Sequence, residues 1–161
     1  MIKRMRFGCT IWALMQGIAA GAQAADCTVN VPSPYHFGSY DTLNDLDIAI
    51  DYTVTCSRTT QGVEVVNVVV TFSPGSGTYA QRTMSNGSST LTYNLYKDAA
   101  RTQIRGDGTA GTVTGTARFV LNAPQSTQSA SGTIYGRIFG GQNVTPGTYS
   151  TTIPITVTMT F

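Results

Sequence analysis

The chain has 161 residues, and its ten Lys and Arg against eight Asp and Glu give a formal charge of +2 at pH 7. Three of those basic residues lie within the first six positions, so the rest of the chain carries 7 − 8 = −1. No basic patch remains, which excludes the usual surfaces for nucleic acid or anionic membranes.

Residues 1–24 have the three parts of a secretory signal peptide. The segment begins with basic side chains, continues with the mostly apolar stretch 7–20, and ends in "AQA" at 22–24, a small-residue cleavage motif. The apolar stretch is shorter than the roughly 20 residues that cross a bilayer. We predict removal of residues 1–24, together with Cys9, and a secreted domain at 25–161. A buried N-terminal helix is the alternative.

Beyond residue 24 the pattern is that of short β-strands separated by turns, rich in Thr, Val, Gly and Ser. In chain order, strands are predicted at residues 27–31, 46–56, 63–72, 79–84, 90–96, 115–121, 131–139 and from the turn at 146–149 onward. The polar stretch 123–132 is predicted to be an exposed loop. Since no crossover helix separates the strands, we predict an all-β fold, an antiparallel β-sandwich.

Two cysteines, Cys27 and Cys56, follow the predicted signal peptide. Each lies on the apolar side of its strand, Cys27 in phase with Val29 and Cys56 in phase with Val54. A secreted chain with two such cysteines is expected to pair them, so we predict a Cys27–Cys56 disulfide. Two free buried thiols are the alternative.

The stretch "GTYSTTIPITVTMTF" at 147–161 alternates apolar and polar residues, as a strand with one buried face does. Its apolar positions, interrupted at Thr151, are Tyr149, Ile153, Ile155, Val157, Met159 and Phe161. A strand needs a partner on each edge or a reason to be left open. What pairs with the free edge of this strand is therefore the question that the sequence raises.

The sequence contains no recognisable catalytic or metal-binding constellation. His36 is the one histidine, and no nucleophile and base are arranged around it. Four carboxylates lie close together in the sequence: Asp41, Asp45, Asp47 and Asp51. Oxygen ligands of this kind could bind calcium, but three of them fall on the polar side of a strand, where a solvated charge is the simpler interpretation. We predict no enzyme activity, no cofactor and no metal.

Six separated motifs carry a family resemblance. In order they are "FGSYD", "YTVTCS", "RTMSNGSSTLTYNLYKD", "GDGT", "YGRIFGGQNVTPGTYSTT" and "ITVTMTF". Together they resemble the spore coat protein U domain, which includes pilin subunits of archaic chaperone–usher fimbriae, over essentially all of residues 27–161. The resemblance implies an immunoglobulin-like β-sandwich that lacks its final strand, leaving a hydrophobic groove beside the C-terminal strand.

The resemblance also implies how that groove is used. A periplasmic chaperone fills it with one of its own strands, and during assembly at an outer-membrane usher the N-terminal extension of a neighbouring subunit replaces that strand. The residues expected to line or flank the groove are Ile153, Ile155, Val157, Met159 and Phe161. The chain is thus expected to be a non-enzymatic fimbrial subunit, secreted through the periplasm to the cell surface.

The N-terminus departs from the fibre-forming pattern. After cleavage only Ala25 and Asp26 would precede Cys27, whereas a donor strand needs at least about 5–6 residues. We therefore expect a subunit that accepts a strand without giving one, at the fibre tip or as a terminating minor subunit. The alternative is a free-standing secreted coat protein of a spore or cell, or a surface-binding β-sandwich that is complete in itself.

Overall fold

The computed structural model describes residues 3–5, 25–32, 36–59, 61–122 and 126–161. The predicted signal peptide lies outside these ranges, apart from residues 3–5. Within the described ranges the structure has eleven strands and no helix. The strands are β1 (Lys3–Met5), β2 (Ala25–Asn30), β3 (Gly38–Tyr40), β4 (Leu46–Arg58), β5 (Glu64–Phe72), β6 (Ser76–Gly77), β7 (Arg82–Ser85), β8 (Thr90–Tyr96), β9 (Gly115–Leu121), β10 (Thr127–Ile138) and β11 (Ile155–Thr160).

Two sheets enclose the core. The larger has six strands in the order β2-β4-β10-β8-β7-β6, and the smaller has three in the order β11-β5-β9. Strands β1 and β3 form a separate two-stranded pair. All of these strand pairings are antiparallel. The predicted all-β antiparallel sandwich, of the immunoglobulin-like class that the resemblance implies, is confirmed.

The centre of the core follows from strand periodicity. In β5 every second side chain points inward, and Val66, Val68, Val70 and Phe72 are each at most 2% exposed. Across the sandwich, the Tyr52 ring of β4 packs edge-on against the Phe72 ring, with 6.0 Å between centroids. Burying a side chain of this size stabilises the fold by about 1.5–3 kcal/mol, so β5 is a main source of stability.

One predicted loop is a strand. The stretch 123–132 was expected to be exposed because it is polar, yet β10 begins at Thr127 and pairs with β4 along its length; residues 123–125 lie outside the described part. The polarity has a local explanation, because hydroxyl groups of β10 pair with those of β4 across the outer face, as Ser129 does with Thr55 at 2.8 Å. Paired hydroxyls suit a solvent-facing sheet surface as well as alternating apolar residues suit a buried one.

The bounds of other strands also differ from expectation. The strand predicted at 79–84 covers only Arg82–Ser85, and the short strands β1, β3 and β6 were not expected. The closing strand begins at Ile155, although alternation starts at Tyr149. Ser150 instead forms an isolated bridge with Ser85, with two backbone hydrogen bonds of 3.0 Å. This bridge to β7 explains why β11 starts late, since it ties the chain to the other sheet just before the strand.

No helix among the described residues is long and apolar enough to cross a membrane.

Candidate functional site

Strand β11 is an edge strand. It pairs with β5 from Ile155 opposite Phe72 to Thr160 opposite Asn67, and within the described part no strand pairs with its other side. Pro154, which lacks an amide donor, stands just before the strand, and its carbonyl accepts a hydrogen bond of 3.0 Å from the Ser73 amide. The proline therefore does not interrupt the ladder, and the free edge of β11 retains its backbone donors and acceptors.

A second open edge lies on β4. Strand β10 covers one side of β4 from Leu46 to Ser57, but β2 covers the other side only at residues 53–58. Residues 46–52 of β4 therefore have no strand partner on the β2 side among the described residues. Strand β2, the edge strand of the six-stranded sheet, also comes close to β11. The open edges of both sheets thus lie on the same side of the sandwich.

An apolar pocket lies between these edges. Strand β4 contributes Ile48 and Ile50 to its wall, and the C-terminal segment contributes Thr151, Ile153 and Ile155. Core side chains complete the wall: Phe37, Phe72, Tyr93, Leu95 and Ile134. Farther along β11, Val157 and Met159 are half-buried and pack against the same core. We refer to Ile48, Ile50, Ile153, Ile155, Val157 and Met159 together as the edge groove.

The five residues expected at the groove occupy graded positions. Ile155 is buried at 4% exposure, while Ile153, Val157 and Met159 are half-buried. Phe161 follows the end of β11 and is 59% exposed, one of three large apolar side chains in the described part that reach more than half exposure. Apolar cover on this face therefore decreases from the start of β11 to Phe161.

Sequence reasoning missed the opposite wall of the groove. Leu46, Ile48 and Ile50 share the apolar phase of β4 with Tyr52 and the residues that follow, and alternation alone gave no reason to separate them. In the structure the first three are half-buried, whereas from Tyr52 onward this face is buried. The difference begins where β2 ends, so only knowledge of strand pairing could have located this wall.

Thr151 adds a single polar atom to the pocket. Its side chain is 8% exposed, and its Oγ1 has no hydrogen-bond partner among the described residues. The backbone around it is held in place, because Ser150 bridges to Ser85 and the Tyr149 hydroxyl donates to the Thr145 carbonyl at 2.7 Å. Thr151 therefore presents its hydroxyl from a fixed position.

The disulfide is formed as predicted. Cys27 and Cys56 are directly opposite in the β2–β4 register, with their sulfur atoms 2.02 Å apart. Both side chains are almost fully buried. The bond fastens β2 to the half of β4 that β2 covers, and so fixes where the open half of β4 begins.

The acidic residues considered as calcium ligands have other partners. Arg137 binds Asp47 through two hydrogen bonds of 2.8 Å and Asp45 at 3.0 Å. The Asp41 carboxylate accepts backbone hydrogen bonds from Leu43 and Asn44, and with the Asn44 side chain these lower the pKa of Asp41. Among the described residues no three His, Cys, Asp or Glu side chains are grouped so as to hold a metal ion.

Comparison with known proteins places this geometry in context. The family model of the Spore Coat Protein U domain matches residues 15–156. No curated protein matches the chain. Among solved structures, the crystal structure of the CsuC-CsuE chaperone-tip adhesion subunit pre-assembly complex from archaic chaperone-usher Csu pili of Acinetobacter baumannii is similar, with 18% identity and a TM-score of 0.49. The match covers 85% of this chain and 40% of that chain.

Proposed function

The chain belongs to the spore coat protein U domain family, and from this premise we propose that it is a non-enzymatic structural subunit of a surface fimbria assembled by a chaperone–usher pathway. In this proposal the edge groove accepts a β-strand from another chain. A periplasmic chaperone supplies that strand first, and a neighbouring subunit replaces it at the outer-membrane usher. The subunit passes through the periplasm to the cell surface.

The observation that carries the proposal is the pair of open edges on one side of the sandwich. An incoming strand can add to the free edge of β11 through main-chain hydrogen bonds, since no described strand occupies it. Its alternate side chains would then cover half-buried residues such as Ile48, Val157 and Met159. Completing the burial of each of these side chains contributes about 1 kcal/mol, so strand addition is favourable on both counts.

The position in the fibre follows from the N-terminus if residues 1–24 are removed. Ala25 and Asp26 are already paired in β2, opposite Arg58 and Ser57, and Ala25 is fully buried. The mature chain would then have no free extension to donate, which suits the fibre tip or a terminating minor subunit. Mass spectrometry of the exported protein should find the N-terminus at Ala25 or within about three residues of it; an N-terminus well upstream would favour a repeating shaft subunit.

Expression in the periplasm tests the main proposal. Produced alone, the protein should aggregate or melt at low temperature, because an open apolar edge exposes both backbone and side chains. Coexpression with the chaperone encoded beside it, or addition of a peptide copied from a neighbouring subunit's N-terminal extension, should raise the melting temperature. High-temperature cooperative melting that neither partner shifts would instead indicate a complete, free-standing coat or surface-binding sandwich.

A further inference from the structure

Thr151 is out of place in the wall of the pocket. Every other lining residue is aliphatic or aromatic, and no charged side chain lines the pocket. Thr151 is more than nine-tenths buried, and its Oγ1 has no hydrogen-bond partner among the described residues. Valine has the same shape and would carry no such penalty, because a buried hydroxyl without a partner loses its hydrogen bonds to water and gains none in return.

From this we infer a chemical preference of the pocket, an inference that rests on the proposed strand-accepting function. We propose that the incoming strand places a threonine or tyrosine side chain in the pocket, and that its hydroxyl group forms a hydrogen bond with Thr151 Oγ1. The apolar body of that side chain contacts Ile48, Ile50 and Ile155. Strand binding then satisfies the hydroxyl as well as covering the groove.

The composition of the wall excludes other occupants. A carboxylate or an ammonium group would lose its hydration with no opposite charge in the lining. An Asn or Gln side chain has three or more hydrogen bonds to satisfy, and Thr151 offers one hydroxyl. A purely apolar side chain would fill the pocket but leave Thr151 Oγ1 unpaired. Threonine and tyrosine combine an apolar body with a single hydroxyl, which matches the wall.

A host–guest peptide series tests the preference. Each peptide has about nine residues, lysine at both ends for solubility, glutamine at outward positions and valine at inward positions. One inward position, taken in turn, carries threonine or valine, or tyrosine or phenylalanine. Dissociation constants are measured by titration calorimetry against the wild-type protein, Thr151→Val, Thr151→Ser, and Thr152→Val as an exposed neighbouring control.

At one inward position, the hydroxyl-bearing guest should bind the wild-type protein about threefold to tenfold more tightly than its apolar counterpart. The preference should disappear in Thr151→Val and persist in Thr151→Ser and Thr152→Val. Peptides that bind with no preference at any position, or with a preference that survives in Thr151→Val, would overturn the inference and leave strand acceptance intact. If no peptide binds at all, strand acceptance itself fails, and the inference with it.

Discussion

Arg82 and Asn94 form a buried side-chain hydrogen bond between the adjacent strands β7 and β8, with Arg82 Nη1 donating to Asn94 Oδ1. The Asn94 amide donates in turn to the Tyr79 carbonyl at 2.9 Å. Arg82 Nη2 donates to the carbonyl of Arg105 at 2.6 Å and to that of Ser73 at 3.2 Å. One guanidinium therefore joins β7 to β8 and to two loops, at the end of the sheet far from β2.

Replacing this arginine by lysine should be costly although the charge is kept. Arg82 is fully buried, and burial lowers the pKa of its guanidinium. A lysine ammonium cannot reach all three acceptors in the same geometry, so Arg82→Lys should lower the free energy of unfolding by roughly 2–4 kcal/mol. Urea denaturation of the disulfide-intact protein measures this. The Arg118→Lys change at a more accessible position on β9 is the matched control and should cost less than about 0.5 kcal/mol; equal costs would contradict the assignment.

The disulfide should contribute mainly by restricting the unfolded chain. Cys27 and Cys56 are 29 residues apart, a loop for which the chain-entropy model gives about 3–4 kcal/mol. Changing both to alanine should lower the free energy of unfolding by that amount in urea. Peptide mapping without reductant should show the two cysteine-containing fragments joined. Two alkylatable thiols in the exported protein, or no loss of stability in the double variant, would argue against this role.

Charge in the edge groove should prevent rescue by a partner strand. Val157→Asp and Phe161→Asp each place a carboxylate on the face that the incoming strand covers, where an unpaired charge costs several kcal/mol. Either change should abolish the rise in melting temperature on adding peptide or chaperone. Thr156→Asp and Thr160→Asp lie on the exposed phase of the same strand and should keep most of the rise. If all four variants behave alike, the groove is not where the strand binds.

Acid should weaken the ion cluster at Asp47. Hydrogen bonding to Arg137 lowers the pKa of Asp47 below its ordinary value of 3.8 in the folded protein. A depressed folded-state pKa stabilises above the unfolded-state value, near pH 4, and that contribution is lost as the pH falls through the folded-state pKa. Because the pair is partly exposed, its contribution is less than about 1 kcal/mol.

Asp47→Asn should therefore reduce the loss of stability between about pH 5 and pH 2, as followed by urea denaturation at each pH. Arg137→Gln should have a similar effect. The double variant should differ little from either single variant, because each change removes the same interaction. Fully additive effects would show that Asp47 and Arg137 act separately.

Much of the fold was determined by the sequence alone. The alternation of Val66, Val68 and Val70 predicts a strand with one buried face, and the structure buries that face. The phase of Cys27 and Cys56 likewise predicts their pairing. These features are local, since a period of two places alternate residues on one face whatever the strand packs against.

Tertiary structure alone decided how much of each apolar face is covered. Ile48 and Tyr52 share one phase of β4, yet Ile48 is half-buried and Tyr52 is buried, because β2 reaches only as far as Thr53. The strand β10 escaped prediction for a related reason. Gly132 lies against the Tyr52 ring, where a Cβ atom would come within 2.6 Å, so the large side chain that alternation would require is supplied by the neighbouring strand. Periodicity identifies the face of a strand, and only the register of its neighbours determines what covers that face.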